Sequence, residues 1–227
     1  MTLDIDRIQG LLFDVDGTLR DTDDHYAARF ARIFRWIRPV LPGRDEHKFA
    51  RRFVMAIESP GNLIFSIPDR LHLDDELAAI GAWMHRRGWG RKSSHDTMVP
   101  GTKAMLMRLS DHYPMAVVSA RPEIGTVAFL DHFELSPLFK CVAHGQSAVR
   151  TKPFPDPVIW AAQQLELPVE NLLMIGDTTV DIRAGVAAGT QTLGVLCGFG
   201  ERDELEAAGA DLVLNSAAQV ADLLLAT

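Results

Sequence analysis

Six short, largely apolar runs set the frame for this chain. Residues 8–15 form the first run, which stops at Asp16-Gly17. Residues 115–119 read MAVVS, and residues 139–143, 172–175, 191–196 and 211–214 complete the set. A strand with one wet face alternates apolar and polar residues. A strand that is apolar at every position must be covered on both faces. Helical patterns at 102–109, 122–133, 157–167, 179–188 and 202–208 lie between the later runs. This alternation predicts an α/β fold: a Rossmann-like parallel sheet with helices on both faces.

Residues 20–97 break the rhythm. They contain no run like MAVVS, and their apolar residues recur at helical spacing, as in Phe30, Ile33, Phe34 and Ile37. Pro39, Pro42, Pro60, Gly61 and Pro68 cut the stretch into several helices. The expectation is an all-helical insert at 20–97, placed after the first strand of a core made of 1–19 and 98–227. The insert holds 14 Lys and Arg against 11 Asp and Glu, a net of +3, and five of the eight histidines. The rest of the chain carries 9 basic and 19 acidic residues, a net of −10.

Charge and composition exclude several classes. The whole chain has a net charge of −7, so a basic nucleic-acid footprint over the whole surface is disfavoured. No apolar run approaches membrane-spanning length, and the first apolar segment carries Asp14 and Asp16 with no basic start. A cytoplasmic protein is expected. Cys141 and Cys197, the only cysteines, both sit in apolar runs and read as small core residues. Two thiols are too few for a metal site built on thiolates alone.

In open parallel sheets, ligands bind beyond the carboxyl ends of the strands. Asp14, Asp16, Gly17 and Thr18 stand there after the first run, and Ser119 after the second. Lys152 follows the third run, in RTKPFPDP. After the fourth come Gly176, Asp177 and, one helical turn on, Asp181. Four carboxylates brought to one edge repel one another. A hard divalent cation relieves that repulsion, and Mg²⁺ suits one or two carboxylates together with phosphate and water. Val15 separates Asp14 from Asp16, so the two carboxylates work from different sides of the loop. Gly17 and Thr18 are expected to offer backbone N–H groups to an anion, and Lys152 a positive charge. This set suits phosphoryl transfer by carboxylate attack with a metal and donors around the phosphoryl oxygens.

In that order, LLFDVDGTLRDT, VVSAR, TKPFPDP and LLMIGDTTVDI resemble the four motifs of the haloacid dehalogenase superfamily. The tail GVLCGFGERDELEAAGADLVLNS is similar to that of its phosphoglycolate-phosphatase-like members, and the insert matches a helical cap in position and length. The resemblance implies a Mg²⁺-dependent phosphatase for a small phosphorylated metabolite. It implies Asp14 as nucleophile and Asp16 as general acid and then base. Ser119, with backbone help from Ala120, would bind the phosphoryl group, and Lys152 would hold Asp14 and the phosphoryl oxygens. Asp177 would ligate the metal with Asp14 and the Asp16 carbonyl, and Asp181 would support the metal or orient Lys152. Three positions depart from the usual pattern. Arg20 follows DGTL where an apolar residue is common. Ser119-Ala120-Arg121 replaces a frequent hydroxyl–Asn pair. Cys197 stands where an aromatic residue is frequent.

The departures leave the substrate open. Arg20, Thr22 and His25 are candidate substrate readers, since the chain passes there from the site into the insert. An arginine would suit a second anionic group on the substrate. Other chemistries on the same fold are a dehalogenase, a phosphonate hydrolase and a sugar-phosphate mutase. Asp16 speaks against the first two, whose members lack an acid there, and Asp181 speaks against the mutase. A non-catalytic binding protein would have no need of the complete set Asp14, Asp16, Lys152 and Asp177.

Overall fold

A computed structural model describes residues 3–21 and 97–226. In chain order its strands are Gly10–Phe13 (β1), Arg20–Asp21 (β2), Thr97–Met98 (β3), Met115–Val118 (β4), Cys141–Ala143 (β5), Leu172–Gly176 (β6), Gln191–Val195 (β7) and Leu212–Leu214 (β8). The helices are Thr102–Ser110 (α1), Glu123–His132 (α2), Asp156–Leu165 (α3), Thr179–Ala188 (α4), Arg202–Ala208 (α5) and Val220–Leu224 (α6). All six apolar runs become strands of one sheet, in the order β5-β4-β1-β6-β7-β8. Every pairing in that sheet is parallel.

Successive residues of a strand point to opposite faces. Leu11, Phe13, Met115, Val117, Leu173 and Ile175 share one face, and there they pack with Leu106 and Leu109 of α1, Phe129 and Leu130 of α2, and Leu224 of α6. Leu12, Ala116, Val118, Leu172 and Met174 share the other, with Val158 and Ala161 of α3 and Ala184 of α4. Each fully buried Leu, Val or Phe contributes about 1.5–3 kcal/mol, an upper estimate before the entropy of ordering it. Both faces therefore need cover, and this is why the runs are largely apolar.

The connections place the site. From β1 the sheet grows outward through β4 to β5, and the chain then crosses to the other side of β1 and grows through β6 to β8. The strand order reverses at β1, which makes the carboxyl end of β1 the switch point where ligands bind in such sheets. Neighbouring strands lie about 4.8 Å apart, so the ends of β4, β1 and β6 fall within roughly 10 Å.

Three features differ from the sequence reading. Five strands are shorter than their runs by one or two residues at an end, and β6 runs one residue longer, to Gly176. β2 and β3 pair antiparallel, Arg20 with Met98 and Asp21 with Thr97, where no strand was predicted. Helix α6 was not predicted either. It buries Val220, Ala221 and Leu224 and is led in by Ser216, whose Oγ accepts from the Ala218 N–H. The expected helical insert lies, but for its end residues, outside the described residues. So do Thr22 and His25.

Candidate active site

The loop after β1 is wound on one carbonyl. Val15 O accepts from the N–H groups of Thr18, Leu19 and Arg20 at 3.3, 2.9 and 2.8 Å. Val15 itself is fully buried. It anchors the loop in the core, and the carboxylates on either side of it diverge. The N–H groups of Gly17 and Thr18, expected to face an anion, are used within the protein, Gly17 on Arg20 O at 2.8 Å and Thr18 on Val15 O. Thr18 contributes its hydroxyl instead, which donates to Asp177 Oδ1 at 3.2 Å. Gly17 has φ +80, and a Cβ there would lie 2.2 Å from Asp177 Oδ2. Only glycine fits this approach of loop to carboxylate.

Asp177 follows β6 and is completely buried. Its Oδ2 accepts from the Phe199 N–H at 2.8 Å, and a Cβ on Gly198 would stand 2.0 Å from the same oxygen. Two loops thus close on this carboxylate by omitting side chains. Asp181 sits one turn into α4. Thr178 is the N-cap of that helix, and Asp181 Oδ2 accepts from both its N–H (3.0 Å) and its hydroxyl (2.7 Å). This capping box aims the other oxygen, Oδ1, at Lys152 Nζ, 2.5 Å away. Lys152 also donates to Asp14 Oδ1 at 2.6 Å, and only 3% of Lys152 is exposed.

Asp14, Asp177 and Asp181 can each bring one oxygen within 4.8 Å of the others. Lys152 is the cation bridging two of them. Three buried carboxylates and one ammonium leave an excess of negative charge out of reach of water. Burial pushes Asp14 up to about 8, Asp181 and Asp16 add to the rise, and Lys152 opposes it. Burial alone would lower Lys152, but Asp14 and Asp181 hold it well above its ordinary value. A carboxyl that resists ionising beside a lysine marks a site short of positive charge. The donor set is all oxygen, rigid and buried. It fits a small hard dication such as Mg²⁺, held by Asp14 and Asp177 with Asp181 behind.

The Asp16 side chain is not part of this cluster. Its carboxylate turns to two arginines: Oδ2 is directly paired with Arg121 Nε, and Oδ1 lies 3.7 Å from Arg20 Nη1. Only its backbone carbonyl remains for the metal role that the resemblance implied. Arg20 also lies over the Phe129 ring, 5.6 Å from its centroid, and its side chain is 12% exposed. Ser119 ends β4 and is buried, and its Oγ accepts from the Arg121 N–H at 3.2 Å. Ala120, between them, is exposed. Of the residues singled out from sequence, Asp14, Lys152, Asp177, Asp181 and Thr18 come together directly, and Ser119 stands at the end of the strand beside β1. Arg121 was noted there only as a departure from pattern.

The cysteines are both free and half-buried. Burial pushes Cys141 up to about 11 and raises Cys197 as well. The Cys197 thiol donates to Gly17 O at 3.3 Å, so it packs beneath the loop that carries Asp14 and Asp16.

The fold is thus a parallel, doubly covered sheet with buried acids and a lysine at its switch point. Residues 11–195 match the family described as haloacid dehalogenase-like hydrolase. The chain belongs to that family, as an enzyme of its phosphatase group. It is 30% identical over 208 residues to a phosphoglycolate phosphatase of Neisseria meningitidis, covering 88% of this chain and 86% of that one. It is 26% identical over 218 residues to a pyrophosphatase of Anoxybacillus flavithermus, covering 96% and 97%. The fold also matches a hydrolase from Pseudomonas syringae with a TM-score of 0.69 at 22% identity, covering 95% and 97%.

Proposed function

We propose that the protein is a Mg²⁺-dependent phosphatase that hydrolyses a small phosphomonoester of the phosphoglycolate kind through an aspartyl-phosphate. The observation that carries this reading is the buried Lys152 ammonium, set between Asp14 and Asp181 beside Asp177. When bound, the cation supplies charge neutralisation to a phosphoryl group approaching three carboxylates. Asp14 attacks phosphorus, forming a P–O bond to its carboxylate as the bond to the alcohol oxygen breaks. Asp16 gives its proton to that departing oxygen. In the second half, Asp16 takes a proton from water, which attacks phosphorus. Phosphate leaves and the Asp14 carboxylate is restored. Ser119 and the Ala120 N–H would bind the phosphoryl oxygens, and Lys152 would fix Asp14 for attack.

The substrate class rests on the named relatives, and residues 20–97 are assigned as the cap that reads the leaving group. The ribbon of β2 and β3 supports that division, since the chain leaves and re-enters the core through paired strands. Among the described residues no helix is long and apolar enough to cross a membrane. A soluble metabolite as substrate goes with a place in the cytoplasm.

The test is phosphate release from a panel of phosphometabolites and an aryl phosphate, with Mg²⁺ and with excess chelator. Metal-dependent turnover, with Asp14 carrying phosphate in trapped or quenched enzyme, is the expected result. Full activity in excess chelator, or no phosphate on Asp14 in trapped or quenched enzyme during turnover, would overturn the reading.

A further inference from the structure

Arg121 is placed by its backbone before its side chain does anything. Its N–H donates to Ser119 Oγ at 3.2 Å, and its carbonyl accepts from the Gly145 N–H at 2.8 Å. A Cβ on Gly145 would stand 2.9 Å from Ala120 O, so the loop after β4 and the turn after β5 pack backbone against backbone. From this fixed base the guanidinium reaches the loop after β1, and its Nε pairs with Asp16 Oδ2. Arg20 approaches the other oxygen at 3.7 Å, beyond hydrogen-bond range, and lies over Phe129. Arg121 therefore sets the direction of the Asp16 carboxylate, and Arg20 adds charge beside it.

A carboxylate two residues from Asp14 would otherwise be drawn to the charges that Asp14 meets, Lys152 and the cation of the reading above. From there it could not reach a leaving-group oxygen on the far side of phosphorus from Asp14. We propose that Arg121 is a positioning residue for proton transfer. Its planar fork holds Asp16 outside the acidic cluster, on the side where the leaving group departs. This inference rests on the acid–base role proposed for Asp16. It gives a function to the Ser-Ala-Arg sequence after β4, which that reading leaves unused beyond Ser119 and Ala120.

The experiment compares turnover of an alkyl phosphate and of p-nitrophenyl phosphate, with Mg²⁺, for the wild type, Asp16→Ala, Arg121→Ala, Arg121→Lys and the Asp16→Ala/Arg121→Ala double variant. An alkoxide needs a proton as it leaves, whereas nitrophenolate does not. Asp16→Ala should lower kcat on the alkyl phosphate by ~10²–10⁴-fold and much less on the aryl phosphate. Arg121→Ala should follow the same pattern at ~10–10²-fold, the cost of misplacing a reacting group by about 1 Å. KM should stay near the wild-type value, and Arg121→Lys should recover part of the loss. The double variant should be no slower than Asp16→Ala, because the two residues act as one unit. The Arg121 side chain is 36% exposed, so its removal leaves no buried void, and a thermal melt checks that the variants fold. Equal losses on both substrates, a loss confined to KM, or losses that multiply in the double variant would overturn the positioning role. If Asp16→Ala itself shows no dependence on the leaving group, the acid–base reading falls and this inference with it. That result is distinct from one in which Asp16→Ala behaves as expected and Arg121→Ala does not.

Discussion

At the scale of single residues, Asp14 and Lys152 make the same prediction for activity and opposite ones for stability. Asp14→Asn removes the nucleophile, so kcat should fall by at least ~10³-fold. It also removes one of three crowded carboxylates, the one that burial and its neighbours push up to about 8. In chelator the variant should therefore melt no lower than the wild type. A variant within tenfold of wild-type activity would end the covalent mechanism. Lys152→Met keeps the length of the side chain and deletes its charge. It leaves the Asp14 and Asp181 oxygens without their buried donor, a change that typically costs about 3–5 kcal/mol. The urea midpoint in chelator should fall accordingly, and activity should be lost as well. An unchanged midpoint would mean that the ammonium is not holding the cluster together. The chain order of Asp14, Ser119, Lys152, Asp177 and Asp181 made these residues legible in sequence, because each stands at a strand end. The partnership of Asp16 with Arg121 was not legible. It joins two loops 105 positions apart through side-chain reach, which periodicity and spacing do not encode. The same holds for Gly17 and Thr18: their residue types suggested an anion nest, but their N–H groups donate within the loop, to Arg20 O and Val15 O.

Among the elements, those with long, uniform patterns matched and the short ones did not. Helix α4 spans Thr179–Ala188, the bounds predicted, because its cap and its glycine stop are both written in the sequence. The ribbon of β2 and β3 has only two residues per strand, and α6 has five, all within a run of small and apolar residues. Neither is long enough to show a period, and tertiary packing decides both. The start of α4 is also the element on which the site depends most. Thr178→Ala removes the N-cap oxygen and one of the two Thr178 donors that hold Asp181 Oδ2. An N-cap loss costs about 1 kcal/mol, with a range of ~0.5–2. The urea midpoint should drop with no change in slope. Because Asp181 aims Lys152, kcat should fall as well. Thr178→Ser keeps the hydroxyl and should restore both quantities. If Thr178→Ala lowers stability while kcat stays intact, the cap supports the helix alone and the aim of Lys152 is set elsewhere.

For the molecule as a whole, the excess of buried negative charge links cation binding to folding. Outside residues 20–97 the chain carries a net of −10, and at the centre of the sheet's carboxyl edge three acids lie together, two of them paired with one lysine. The folded state gathers these oxygens into one site and the unfolded chain scatters them, so a cation that binds the fold must stabilise it. At a Mg²⁺ concentration 100-fold above its dissociation constant the gain is about 2.7 kcal/mol. For a protein of this size that corresponds to a rise in melting temperature of roughly 5–10 °C. Asp177→Asn should abolish most of the rise, since Asp177 is completely buried beside Asp14 and Asp181 and is walled in by Gly17 and Gly198. Gly198→Ala should act in the same direction by forcing a methyl group against the Asp177 carboxylate, with no charge removed. Ca²⁺ should still raise the melting temperature of the wild type. It should support little turnover, because its larger and looser shell spaces the oxygens differently around phosphorus. Thermal melts with Mg²⁺, Ca²⁺ and chelator, run beside activity assays, separate binding from catalysis. If neither ion moves the wild-type melting temperature, the three carboxylates do not form a cation site, and their repulsion must be relieved by protons instead.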